Sequence, residues 1–374
     1  MNTHRLVGPL VALLLIAAVG GGIWYSHGRL LAQRDTTEQA RLEAAHTLVV
    51  HGLIGSEKDA FFADSNVQAA LARQHLSVSV EKAGSRAIAR GFNPQHDDFG
   101  FPSGAPAAAE LKAIAQAPET FTPFYTPIVI ASWHPIAQIL ETNHIVTERD
   151  GNYFITDLPA LMKLMQQHAR WKDLAGSEAF ATNKAVLVNS TDVRTSNSAA
   201  MYLSLASYIV NGQSVVQSQA DVDTVLPLMT ELFLRQGFQE SSSAAPFEDY
   251  LALGMGKTPL LVAYESQMVA FWLAHPERLH GDMVMLYPTP TVFSKHVLVP
   301  FNEKGRRLGE ALEHDPALQE LAHQYGFRTG GSIKGPEVWE KRGIHTPPTV
   351  VDVVDPPTHE WLEKMITGIE QKFP

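Results

Sequence analysis

Three early segments with strand character, Thr47–Ile54, Ser77–Glu81 and Asp98–Phe101, each run into a turn that presents serine or glycine at the start of a helix. The turns are Gly55-Ser56, Gly84-Ser85 and Ser103-Gly104. Strands that alternate with helices predict a parallel α/β sheet. In such sheets, ligands sit beyond the carboxyl ends of the strands, where the first turns of the helices offer N–H groups without an internal partner. Each turn alone is ordinary βα punctuation. Three in succession point to one edge of one sheet.

A fourth turn of this kind lies in Ala185–Gly212. The sequence there predicts an apolar strand (Ala185–Val188), a polar loop (Asn189–Asn197) and an amphipathic helix (Ser198–Val210) that Gly212 stops. The loop is rich in hydroxyls: Ser190, Thr191, Thr195, Ser196 and Ser198. Two readings stand open. Ser196 or Asn197 caps the helix, or the loop and the helix dipole hold an anionic or polar ligand.

The rest of the chain continues the alternation. A Ser65-x-x-Gln68 capping box opens a helix over 66–75, and Pro106 starts Ala107–Gln116. Pro127–Ser132, Thr258–Tyr264, Met283–Tyr287 and His296–Pro300 read as strands. Pro135–Leu140, Leu158–Ala169, Asp221–Gln236, Met268–His275, Glu303–Glu313, Ala317–Tyr325 and Trp361–Gln371 read as helices, and Ser241–Pro246 as a loop.

Composition removes several functional classes. The 374 residues carry a formal charge of −10 and no cysteine. That excludes disulfides, thiol catalysis, cysteine-based zinc sites and a lipobox anchor, and it argues against nucleic acid as a partner. Gly256-Lys257-Thr258 lacks the glycine a P-loop needs five residues earlier, where Leu251 stands. The histidines form no HExxH pair, and no G-x-S-x-G elbow occurs. Tyr125, Trp133 and Tyr202 could stack on a ligand, although core packing is the commoner role of such residues. At the N-terminus, Leu6–Tyr25 is uncharged, follows Arg5 and closes on Trp24 and Tyr25 without an A-x-A cleavage site. It reads as an uncleaved transmembrane signal-anchor (1–25) followed by a stalk (26–45), with the globular part on the periplasmic or extracellular side of the inner membrane.

The fragments GSEKDAFF (Gly55–Phe62), KAGSRAIA (Lys82–Ala89), DFGFPSGAPAA (Asp98–Ala108), TPIVIASW (Thr126–Trp133), STDVRTSNSAAMYL (Ser190–Leu203), VAYESQ (Val262–Gln267) and Tyr287–Leu308 carry a resemblance. Over Thr47 to Pro374 the chain resembles type 2 periplasmic solute-binding proteins, the broad group that includes molybdate- and sulfate-binding proteins. It is also similar to the solute-binding region beside von Willebrand factor A domains and to membrane-anchored proteins of tellurite-resistance operons, although no D-x-S-x-S signature is present. The resemblance implies an α/β, two-lobed fold with two crossing strands, preceded by an N-terminal transmembrane helix. PIVIASW would cross first and Leu286–Val299 would return. Lobe I would then be 46–128 plus 292–374, and lobe II 129–291.

The implied protein is a non-enzymatic, cofactor-free solute-binding protein that closes on a small polar or anionic ligand. Contacts would come from Gly55, Ser56, Ser85 and Ser103, with Arg86 alongside, and from Ser190, Thr191, Ser196, Asn197, Ser198, Tyr264 and Glu265. Glu57 and Glu265 would put carboxylates near an anion, so Lys58, Arg86 or Arg194 would have to balance them. A membrane-protein partner fits the anchor. The alternative is a ligand-free interaction protein of an envelope stress or toxic-anion resistance complex.

Overall fold

The structure is a computed structural model that describes residues 47–237, 239–279, 281–330, 336–347, 350 and 352–373. The expected anchor and stalk, 1–25 and 26–45, lie outside these residues. Among the described residues no helix is long and apolar enough to cross a membrane.

The first elements are β1 (Leu48–Ile54), α1 (Asp59–Ala63), α2 (Ser65–Arg73), β2 (Leu76–Lys82), α3 (Ser85–Gly91), β3 (Phe99–Phe101) and α4 (Ala105–Ala115). A long strand, β4 (Phe121–Trp133), leads to α5 (His134–Thr142), β5 (Val146–Arg149), β6 (Asn152–Ile155), α6 (Leu158–Gln166), α7 (Asn197–Val210), α8 (Gln219–Leu234) and α9 (Ala244–Leu253). Then follow β7 (Leu261–Tyr264), α10 (Glu265–Ala274), β8 (Met283–Pro288), β9 (Phe293–Pro300), α11 (Glu303–His314), α12 (Pro316–Gln324), α13 (Glu337–Lys341) and α14 (His359–Glu370).

The strands run in the order β2-β1-β3-β9-β4-β8-β6-β5, with β7 also on β4. β1 and β3 are parallel, Gly52 lying opposite Phe99 and Ile54 opposite Phe101. β9 is antiparallel to both β3 and β4. The sheet is therefore mixed, not wholly parallel as the alternation suggested. Alternation fixes the sense of β1 and β3, but β4 runs out of the first half of the sheet and β9 runs back. β4 pairs with β9 through Phe121–Pro127 and with β7 and β8 through Ile128–Trp133, so one strand belongs to both halves.

The second half of β4 is apolar because it is buried on both faces. Ile128 and Ile130 face a core shared with Met165, Leu203, Met229 and Ile366. Val129 and Ala131 face another, with Tyr250, Trp272, Met285 and Trp339. Successive side chains of a strand point to opposite faces, which accounts for the division. The end of the chain follows the same cores. α14 packs on α8 and α7 as well as on α4, and Trp339 of α13 lies in the second-half core.

Three local expectations are corrected. Ala185–Val188 alternates in burial but forms no strand, because Val186 N–H donates to Ala169 O and Val188 N–H to Met165 Sδ, leaving only isolated bridges at Ala185 and Asn189. The Ser65–Gln68 capping box does not form; Asp64 is the cap, its carboxylate accepting from Asn66 N–H, while Gln68 donates to Phe62 O. Pro106 stands within the first turn of α4, which begins at Ala105.

Candidate functional site

A cleft of about 420 Å³ opens where the turn after β1 and the starts of α3, α7 and α9 meet. Gly55 and Ser56, Gly84 and Ser85, Ser196 and Asn197, and Ser241–Ala244 line it, with Glu57, Lys82 and Tyr264. Tyr264 ends β7 and stands at the N-cap of α10. The local sequences explain the convergence. α3 and α7 are each preceded by a small residue in extended conformation (Gly84 at φ −63°, ψ 148° and Ser196 at φ −96°, ψ 135°), which leaves their first-turn N–H groups without an intrahelical partner. The positive ends of α7 and α9 favour negative charge there.

Behind this wall lies a buried polar cluster. Lys58 Nζ sits 2.5 Å from Glu57 Oε1, 2.9 Å from Ser103 Oγ and 3.0 Å from His296 Nδ1. The Ser103 hydroxyl donates to the same Glu57 oxygen. Burial opposes the charge of Glu57, but Lys58 and the Ser103 hydroxyl outweigh it and hold the carboxyl at about 2. Burial, reinforced by Lys58, pushes His296 well below its ordinary range. The imidazole is neutral: an ammonium at Lys58 can only donate, so Nδ1 is assigned as the acceptor and the proton to Nε2, which is buried without a hydrogen-bond partner among the described residues. Burial also lowers Lys58, and Glu57 opposes that shift.

Asn197 spans the cleft floor. Its Nδ2 lies 2.9 Å from Ser103 O, 2.9 Å from Tyr264 Oη and 3.3 Å from Ser294 Oγ. Ser196 is the N-cap of α7, yet its side chain makes no capping bond. Its hydroxyl meets Ser198 Oγ at 3.0 Å, which meets Thr191 Oγ1 at 2.7 Å. The capping reading of this loop therefore fails for the side chains. Across the cleft, Gly84 packs so closely on Thr195 that a Cβ would stand 2.6 Å from the Thr195 carbonyl oxygen.

Six of the candidate residues, Gly55, Ser56, Ser85, Ser196, Asn197 and Tyr264, thus line one cleft. Ser103, Thr191 and Ser198 support it from behind. Three others are engaged elsewhere. Ser190 gives its N–H to Gln236 Oε1 at 2.6 Å. Arg86 turns away, donating to Arg194 O at 2.6 Å and to Glu363 at 2.5 Å. Glu265 is fully buried and accepts two bonds of 2.7 Å from Arg328 and one from Tyr287 Oη. Arg194 is held by Asp192, and Tyr125, Trp133 and Tyr202 lie outside the cleft lining. Sequence reasoning missed Ser241–Ser243. Their signal was present, because three serines precede the apolar run AAPFEDYL as serine precedes the other helices. Among the described residues no group of three or more His, Asp or Glu is placed to hold a metal ion.

Comparison of the sequence with protein-family models and with curated proteins gives no match. Solved structures do match. Apo ferric ion-binding protein A of Pasteurella haemolytica superposes with a TM-score of 0.52 at 10% identity, over 86% of this chain and 97% of that one. Iron-bound HitA of Pseudomonas aeruginosa gives 0.50 at 11% identity, over 87% and 99%. An ABC transporter structure from Clostridium perfringens gives 0.50 at 11%, over 86% and 99%. At these identities the likeness establishes the fold: the two-lobed, mixed α/β arrangement of periplasmic binding proteins.

Proposed function

We propose that the chain is an extracytoplasmic solute-binding protein that holds a small polar or anionic ligand, without covalent chemistry, in the cleft between its two lobes. The observation that carries this reading is the convergence of hydroxyl-bearing helix starts from both halves of the sheet on one cleft, with Asn197 reaching across it. Gly55, Ser56, Ser85, Ser196, Asn197, Tyr264 and Ser241–Ser243 are the contacts; Ser103, Thr191 and Ser198 position them. Closure brings α7 against Gly84 and Ser103. The segment 1–25 anchors the chain in the inner membrane and 26–45 spaces the lobes from it, beside a membrane-protein partner. The further likeness to the region accompanying von Willebrand factor A domains rests on the sequence fragments alone.

A thermal-shift screen of the full chain with oxyanions, sugars and amino acids tests the proposal. A ligand that binds only the native state must raise its apparent stability. A shift abolished by Ser196→Ala with Asn197→Ala is the expected result. No shift with any compound overturns it and leaves the ligand-free interaction protein standing.

A further inference from the structure

We infer, resting on the two-lobed reading above, that the C-terminal helix α14 is a releasable strap. It is rooted in the second half of the sheet and fastened to the first half by the ion pairs of Glu363, and it holds the cleft shut in the ligand-free chain. Access to the cleft is then governed at α14, on the outside of the molecule, and not by the ligand alone.

The root is apolar. Leu362, Met365, Ile366 and Ile369 are buried in the core that contains Ile128 and Met229. Gly368 lets the helix lie directly on α8, since a Cβ there would stand 2.6 Å from Leu226. The fastening is polar. His359 and Glu363, one turn apart, share a stripe of the helix. Glu363 Oε2 accepts from Arg86 of α3 at 2.5 Å and from Arg90 at 3.0 Å. His359 Nε2 lies 3.6 Å from Glu110 Oε1 of α4. Arg86 also donates to the Arg194 carbonyl at 2.6 Å, and the Arg194 guanidinium lies 4.3 Å over the ring of Phe373, just past the end of α14. So α3, the loop before α7 and the end of the chain close one ring of contacts. Ser85 and Ser196 of the cleft lining stand one and two residues from Arg86 and Arg194.

The side chains of Arg86 and Glu363 are 12% and 17% exposed, so their pair is little screened by salt. Yet the fastening is incomplete. Arg86 Nε and Glu110 Oε2 are buried without a hydrogen-bond partner among the described residues. Arg86, Glu110, His359 and Glu363 gather around a cavity of about 20 Å³. Both orphaned atoms regain water when α14 lifts from α3 and α4, which offsets part of the cost of breaking the pairs. An apolar root with a polar, partly unsatisfied fastening gives the strap two states, on and off.

Pulsed electron–electron double resonance on the full chain in detergent, without added solute, tests this. The chain has no cysteine, so nitroxides are attached through Arg73→Cys on α2 and Lys163→Cys on α6, exposed positions in the two halves. The parent should give one distance. Glu363→Gln keeps the side-chain shape and removes the charge; it should add a second, longer distance, and Arg86→Gln should add the same one. Glu360→Gln, whose carboxylate pairs with Lys364 on α14 itself, should leave the parent distribution unchanged. A distribution unmoved by both Glu363→Gln and Arg86→Gln overturns the inference. So does a parent already spread over both distances, or an equal lengthening in Glu360→Gln. Should both strap variants fail to fold by circular dichroism, the pair is a stability element and the inference falls. None of these outcomes touches the solute-binding reading, which the thermal-shift screen decides separately.

Discussion

Asn197, the first residue of α7, donates to the main-chain carbonyl of Ser103 from 2.9 Å, across 94 residues of sequence. Through this bond the second half of the sheet is tied to the turn that follows β3. The same side chain holds Tyr264 Oη and reaches Ser294 Oγ, so one amide ties three elements together.

Replacement of that amide should loosen the cleft before it weakens the fold. Asn197→Ala loses bonds that are worth about 1 kcal/mol each. The expected outcome is a modest fall in thermal midpoint together with a larger ligand-free radius of gyration in small-angle scattering. An unchanged radius would show that the tie does not govern closure.

Gly84→Ala tests the same contact from the other wall. At φ −63° an alanine is conformationally allowed. Its Cβ would nonetheless stand 2.6 Å from Thr195 O, and that backbone has to move. The variant should keep its stability within about 1 kcal/mol, yet bind every ligand of the wild type more weakly. Calorimetry alongside thermal melting separates the two effects.

The buried cluster gives the protein an acid limit. His296 stays neutral in the fold, whereas an unfolded histidine takes a proton below about 6.5. Protons then favour the unfolded chain, and stability falls with pH from that point. Glu57 adds a second loss. Held at about 2 in the fold against 4.5 for an ordinary glutamate, it stabilises fully above the higher value and progressively less below it. The whole contribution is on the order of 3 kcal/mol. Urea melts between pH 7 and 3 should decline throughout. Glu57→Gln should flatten the part below about 4.5; an unchanged slope there would contradict the assignment.

Glu265 and Arg328 form an ion pair with both side chains at 0% exposure. Removing one charge strands the other, so Arg328→Met should cost about 3–5 kcal/mol. Arg328→Met with Glu265→Leu should recover much of that loss, because an apolar pair of similar volume needs no solvation. Denaturant melts of the two single variants and the double variant complete the cycle.

What the chain made legible followed short-range rules. The turns Gly55-Ser56, Gly84-Ser85 and Ser196-Asn197 were readable because a serine or glycine before an apolar run has a local cause. Pro127–Ser132 was readable because burial on both faces leaves only apolar residues. Its continuation back to Phe121 was hidden by Pro123 and by a register shift between Phe121 and Phe124. The β5–β6 hairpin was overlooked although Asp150-Gly151, at φ 51° and 74°, is a strong turn signal. The roles of Glu265 and Lys58 depended on Arg328 and His296, 63 and 238 residues away, and no local pattern announces such partners. Arg86 looked available to an anion for the same reason; Glu363 claims it from α14.

The pairing of β4 with β9 sets an order of events for the newborn chain. Phe124 needs His296, and β3 needs Val299 and Pro300. The sheet cannot be completed until synthesis has passed Pro300. Such long-range pairing slows folding and leaves unpaired strand edges exposed in the meantime. Until β9 arrives, β3 lacks its antiparallel partner, and that open edge is what has to be shielded from aggregation.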